Sequence, residues 1–391
     1  MKSYSFDFRL LTIILLLVGI GLGYLFSVNM PGNMDNFLTD NILIIRQLIS
    51  LSISFVIFIF ALVFNYNYYR FFVLPLVILA FILLVLTLIP GIGVQVSGAR
   101  RWLRIFQFSF QTSELAKFTL IIYLSHVLSK KDDKIQDFYK GIFPPLIITF
   151  LFAVLIFLEN DFSSCFLILV VCLLIFYLAG TPYIYLISLL VVCACIFILM
   201  ILDAPYRLSR LLAFLDPWED PQGAGYHVIQ SIKGFAMGGW KGVGIGNSVL
   251  KNGTLPQASH DFIFTIIGEE TGLIGCLSVI FLFTYYAYRG FLLSYRARDK
   301  YTFLLASGIT LLITIQTIVN IGVVIGIIPT TGLPLPFISY GGTSLLFSML
   351  CSGILLNISI HGTQKKIKRI TDDSVYKHNE FNNKVNNILA N

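Results

Sequence analysis

Ten apolar stretches run along the chain, near 10–28, 43–64, 71–90, 113–129, 141–158, 162–179, 183–202, 262–288, 302–324 and 342–361. Each is close to the roughly 20 residues a helix needs to cross hydrocarbon, and each is bounded by charge, Pro, Gly or Asn. The pattern predicts an all-α fold, a polytopic helical bundle of about ten transmembrane helices with one long polar loop at about 203–261. Only Glu159-Asn160-Asp161 separates the fifth and sixth stretches, enough for a hairpin between spans and too polar to leave in lipid. The first stretch has Lys2 and Arg9 before it, yet Phe26-Ser27-Val28-Asn29 offers no small-x-small cleavage site, so a retained helix is expected rather than a signal peptide.

Composition agrees with lipid as the main solvent. Of 391 residues, 57% are apolar and 12% charged, with mean hydropathy +0.85. A soluble domain carries about 25% charged residues, so a soluble enzyme, a secreted module and a disordered protein are excluded. The six cysteines all lie in apolar runs without metal or CxxC spacing and read as buried hydrophobes.

The net charge of +7 invites a nucleic-acid reading, but most of the Lys and Arg fall in segments that share one side when the spans alternate. That bias expresses topology, with both termini cytoplasmic and no nucleic-acid partner. A single domain is expected over 1–361, followed by an Asn- and Lys-rich disordered tail over 362–391. Basic residues on the opposite side cluster only around 100–117 and 207–251. They fit either an anionic ligand or lipid headgroup anchoring.

Three segments carry chemistry. The long loop contains Gly242-Val-Gly244-Ile-Gly246, whose spacing lacks the strand and lysine of a nucleotide site and instead suits close backbone turns. Asp261 ends that loop at the start of an apolar run, where it either caps the helix or acts as a general base at the membrane surface. Glu114 and Lys117 are three apart on one helical face and can satisfy each other, whereas the adjacent Glu269 and Glu270 cannot share a face. The stretch Asn320 to Ser344, with Pro329, Gly332, Pro334, Pro336, Gly341 and Gly342, breaks any helix. It reads as a re-entrant turn or as a plain connector.

These segments together resemble the SEDS family of bacterial shape, elongation, division and sporulation proteins. The resemblance is carried by Gly98-Ala-Arg-Arg101-Trp102 with Gln111-Thr-Ser-Glu-Leu-Ala-Lys117, by Phe214-Leu-Asp-Pro217, by Leu255 through Gly272, and by Asn320 through Ser344, all in family order. Trp218 and the run Gly239-Trp240 to Gly246-Asn247-Ser248-Val249 with Lys251 point to the division branch rather than the rod-elongation branch. The resemblance implies a glycosyltransferase of the bacterial inner membrane that polymerises lipid II into peptidoglycan at the septum, beside a class B penicillin-binding protein and other division proteins. Asp261 aligns with the family's catalytic aspartate. Candidate contacts for diphosphate or sugar are Arg100, Arg101, Trp102, Glu114, Lys117, Lys233, Asn247, Ser248, Lys251, His260, Glu269, Ser339 and Tyr340. No cofactor is implied beyond a divalent cation, Mg or Mn, at the diphosphate. The chain departs from the family pattern at Thr112, Asn160, Gln257, Ser259 and His260. A lipid II flippase and a division scaffold are the competing readings.

Overall fold

The computed structural model describes residues 6–29, 42–96, 99–105, 108–202, 205–251 and 260–362, and the structural statements below concern these residues. The expected tail beyond Gly362, and Gln257 and Ser259 in the long loop, lie outside them.

All ten apolar stretches are helical. They form α1 (Phe8–Asn29), α2 (Ile42–Val63), α3 (Val73–Leu88), α4 (Thr112–Lys130), α5 (Phe143–Leu158), α6 (Phe162–Ala179) and α7 (Tyr183–Leu202). After two short helices of the long loop, α8 (Pro205–Leu215) and α9 (Tyr226–Gly238), come α10 (Ile263–Tyr295), α11 (Lys300–Val324) and α12 (Gly342–His361). Seven of these segments are long and apolar enough to span a membrane on their own composition. Helices α3 and α7 are apolar but shorter in their described apolar run. Helix α4 carries Glu114 and Lys117, and it can do so because it is buried among α3, α6 and α11 rather than facing lipid. The chain is therefore a polytopic membrane protein. Its core lies where α4, α10, α11 and α12 meet.

One element escaped the hydropathy pattern. Between α3 and α4 the chain folds into a three-stranded antiparallel sheet of β1 (Gly93–Val96), β2 (Ala99–Ile105) and β3 (Phe108–Gln111). Trp102 pairs with Val94 on one side and Gln111 on the other. The register shifts between Val94 and Gln95, so that Arg100 stands opposite Gln95, Trp102 opposite Val94, and Arg101 is the extra residue of a bulge. Arg100 and Arg101 are half-buried and Arg104 is exposed.

Helix α10 is two helices in one. Gly272 sits at φ 65°, ψ −160°, which breaks the ladder and frees carbonyls on one side and N–H groups on the other. The glycine run of the long loop repairs the break. Val243 N and Gly244 N donate to Glu269 O and Glu270 O, each at 3.0 Å, while Leu273 N donates to Gly239 O at 2.9 Å. Gly242 and Gly244 hold φ of 79° and 102°, and a Cβ on Gly242 would run into Glu270 O. The short first half of α10, fully buried from Ile263 to Glu270, is thereby stapled beneath the loop, and Asp261 stands just before it.

Candidate active site

The stretch between α11 and α12 is non-helical backbone beside a helical bundle, so its polar groups need partners. Side chains from three different helices supply them in turn. Arg210 of α8 donates to Thr330 O at 3.3 Å, and Ser163 of α6 donates to Thr331 O. Asn320 and Gln316, one turn apart on α11, donate to Leu333 O at 2.7 Å and Pro334 O at 2.9 Å. Further along, Leu335 N donates to Ser339 Oγ at 2.8 Å, and Thr343 bridges Gln111 N and Ser109 O of the sheet. Phe337 is held at φ 65°, an uncommon conformation for a bulky residue, with its ring against Tyr286. This is the re-entrant reading of the sequence, not the plain connector.

Asp261 is clasped against that turn. Its carbonyl accepts from Asn320 Nδ2 at 2.8 Å, and its Oδ2 lies 3.6 Å from where a Gly332 Cβ would sit. The N-cap of α10 is Phe262, and no side chain caps it, so the carboxylate is not spent on the helix end. Asp261 is 9% exposed, and its Oδ1 has no hydrogen-bond partner. Burial pushes the carboxyl up to about 6, against the pull of a hydrogen bond from its own backbone N–H and of Arg210 and Arg101. The aspartate is ionised at neutral pH yet basic enough to take a proton, which is the demand on a general base. Gly332 itself is solvent-exposed, leaving an approach to the carboxylate.

A second acidic pair lies across the site. Asp161 receives Ser113 Oγ at 3.0 Å, Gln111 Nε2 at 3.1 Å and, through its other oxygen, Ser164 N at 3.1 Å, with Arg101 Nη1 at 3.7 Å. Glu159, two residues earlier and fully buried, accepts from Thr87 and Thr112. Burial raises its carboxyl to about 8 despite those bonds and Arg101. Asn160 between them stands at φ 59°, a conformation proline cannot adopt. Arg101 is 28% exposed and Arg210 half-buried, so two guanidinium groups flank the cleft.

The sequence-selected residues divide into groups. Arg101, Asp261, His260 and Tyr340 come together at the cleft, with His260 edge-on to Tyr340 at 4.9 Å between centroids. Burial raises the half-buried Tyr340 phenol, while His260 is exposed. Arg100 and Trp102 are half-buried on the neighbouring sheet. Lys117 and Glu114 close on each other at 2.7 Å, fully inside the bundle, with Gln316 Oε1 3.4 Å from the ammonium. Glu269 binds the loop internally, accepting from Ser248 Oγ and from Val249 N at 2.8 Å, while Glu270 meets Ser27 of α1 at 2.6 Å. Lys251 reaches Ser27 O at 3.2 Å, Asn247 donates to Val243 O, and Lys233 is exposed on α9. Sequence reasoning left out Asp161, Arg210, Gln316 and His227, whose ring stacks on Phe262 at 5.1 Å. Gln316 did carry a signal, a lone amide in an apolar run four residues before Asn320.

The fold is that of a polytopic helical membrane protein that holds, at one end of its bundle, a buried aspartate with an unpartnered Oδ1 under a braced turn and within the field of two arginines. Comparison with known proteins narrows the class. The sequence profile of the FtsW, RodA and SpoVE family, described as "Cell cycle protein", matches residues 8–364, and the chain belongs to that family. Stage V sporulation protein E of Bacillus subtilis (strain 168) is 37% identical over 92% of this chain and 98% of its own length. A probable peptidoglycan glycosyltransferase FtsW of Coxiella burnetii is 38% identical over 91% of this chain and 97% of its own. A solved chain from "Structural coordination of polymerization and crosslinking by a peptidoglycan synthase complex" superposes with TM-score 0.76 at 25% identity, over 91% of this chain and 98% of that one. The Thermus thermophilus rod shape determining protein RodA shares the fold, with TM-score 0.69 at 22% identity over 93% of this chain and 100% of that one.

Proposed function

We propose that this chain is a peptidoglycan glycosyltransferase that polymerises lipid II at the outer face of the bacterial cytoplasmic membrane, with both of its termini on the inner side. Its place is the division septum, beside a class B penicillin-binding protein that cross-links the strands. The relatives named as peptidoglycan glycosyltransferases and the solved synthase complex support this reading. The observation that carries it is the Asp261 carboxylate, buried, with Oδ1 unpartnered, and raised to about 6.

Asp261 takes the proton of the acceptor sugar's 4-hydroxyl as that oxygen attacks the anomeric carbon of the donor MurNAc. The carbon–oxygen bond to undecaprenyl diphosphate breaks, and its electron pair leaves with the diphosphate. The growing negative charge needs preorganised cations, and Arg101 and Arg210, both close enough to act on the aspartate's charge, supply them. Among the described residues no three His, Cys, Asp or Glu side chains converge as a metal cluster. A divalent cation at the diphosphate would therefore rest on one or two carboxylates and the substrate's own oxygens, and no step is routed through one. A lipid-carrier role would draw on Glu114 and Lys117, which are already closed on each other.

The test is polymerisation of lipid II by the purified chain with its penicillin-binding partner, wild type against Asp261→Asn. Strands from wild type and a loss of about 10²–10⁴-fold in the folded, partner-bound variant are expected. Equal product from both would remove Asp261 from the mechanism.

A further inference from the structure

Hydrogen bonding around Gly332 leaves more than the aspartate unsatisfied. Asn320 is 2% exposed, and its amide orientation is fixed because Nδ2 donates to both Asp261 O and Leu333 O. Its Oδ1, turned the other way, is buried without a partner. The same holds for Asp261 Oδ1 and for Thr331 Oγ1. Asn320 bonds the Asp261 backbone directly, Gly332 adjoins the carboxylate, and Thr331 and Leu333 flank that glycine, so the three orphans gather around one short turn.

Their chemistry names what satisfies them. The Asn320 carbonyl and the Asp261 carboxylate only accept, so neither serves the other, and a buried acceptor left unmade is costly. A diphosphate cannot help, since it too only accepts and belongs with Arg101 and Arg210. A polyprenyl chain has no donors at all. Adjacent hydroxyls on a sugar ring are a matched set, one for the base and one for the amide.

We propose that Asn320 and Thr331 form the acceptor-sugar subsite, with Asn320 Oδ1 receiving the hydroxyl beside the one that Asp261 deprotonates. Asn320 thus has two tasks. Its Nδ2 fixes the backbone of the base, and its Oδ1 reads the ring hydroxyl that sets the 4-oxygen on line for attack. Thr331 bonds the same sugar through Oγ1, while its carbonyl stays with Ser163. The proposal rests on the polymerase reading and specifies which part of the substrate lies where.

The experiment uses the full chain with its penicillin-binding partner and lipid II whose GlcNAc lacks the 3-hydroxyl, offered as acceptor in place of natural lipid II. Wild type is expected to use the 3-deoxy acceptor about tenfold to a hundredfold less well in kcat/KM. With Asn320→Ala the two acceptors become equally poor, because the group that told them apart is gone. Thr331→Val, nearly isosteric, raises the KM for acceptor with a smaller change in kcat, and Thr331→Ser restores it. Equal use of both acceptors by wild type overturns the subsite while leaving the polymerase intact. No strands from wild type with natural lipid II overturns the polymerase reading and the subsite with it.

Discussion

At the scale of single residues, two carboxyls are held far from their ordinary range by the same cause and serve opposite ends. Asp261 is buried but open toward Gly332, and desolvation brings it to about 6. A base must be ionised, so kcat/KM is expected to fall as pH drops through about 6, along a limb of unit slope that vanishes in Asp261→Asn. An acid limb near 4 would instead mean a solvated carboxylate. Glu159 is sealed, and burial lifts it to about 8. In the unfolded chain it ionises near 4.5, so between these values the native state holds the extra proton and stability falls as pH rises. From pH 6 to pH 8.5 wild type should lose on the order of 3 kcal/mol from this group. Glu159→Gln should be insensitive over that window, and thermal unfolding in detergent at the two pH values distinguishes them.

Among the elements, the glycine loop and the broken helix make one unit. Gly242, Gly244 and Gly246 all hold positive φ, but their surroundings differ. A side chain on Gly242 collides with Glu270 backbone, whereas Gly246 faces open space. Gly242→Ala should therefore destabilise by about 1–3 kcal/mol and lower polymerisation by loosening the stub of α10 behind Asp261. Gly246→Ala carries only the backbone penalty, about 1 kcal/mol, and should keep activity. Melting temperature and strand synthesis, measured together, check the pair. The helices and the close-turning glycines were legible because apolar run length and glycine spacing are local signals. The sheet was not, since β1 and β3 are four residues each and their pairing is non-local. Asp261 was legible from its place at the junction of loop and apolar run. Its neighbours were less so, because Arg210, Ser163 and Gln316 reach the Asp261 turn from three separate helices, and only folding reveals that they grip carbonyls of one short stretch, Thr330 to Pro334.

For the whole molecule, polar contacts gather at two opposite ends, and every long helix connects one to the other. One end ties Asp7 to Arg289 and to Ser359, Arg70 to Asp299, and Lys300 to Asp132 and Ala179 O. The other ties Arg101 to Asp161, Arg210 and Ser163 to the re-entrant turn, Asn320 to Asp261, and Lys251 to Ser27. Walking the chain, α1 to α7 and α10 to α12 alternate between these ends, which returns the last turn of α12 to the end that holds Asp7. Lys and Arg excess at the first end is the ordinary mark of a cytoplasmic face, which is the orientation proposed above. Single cysteines at Lys134 and Arg296, exposed at that end, should resist a membrane-impermeant maleimide in intact cells and react once the membrane is opened. Cysteines at Glu219 and Lys241, exposed at the other end, should react in both conditions. The reverse pattern would turn the cleft toward the cytoplasm, where a glycan strand would be built on the wrong side of the membrane. A mixed pattern within either end would break the ten-span alternation itself, so the four positions test the orientation and the architecture at once.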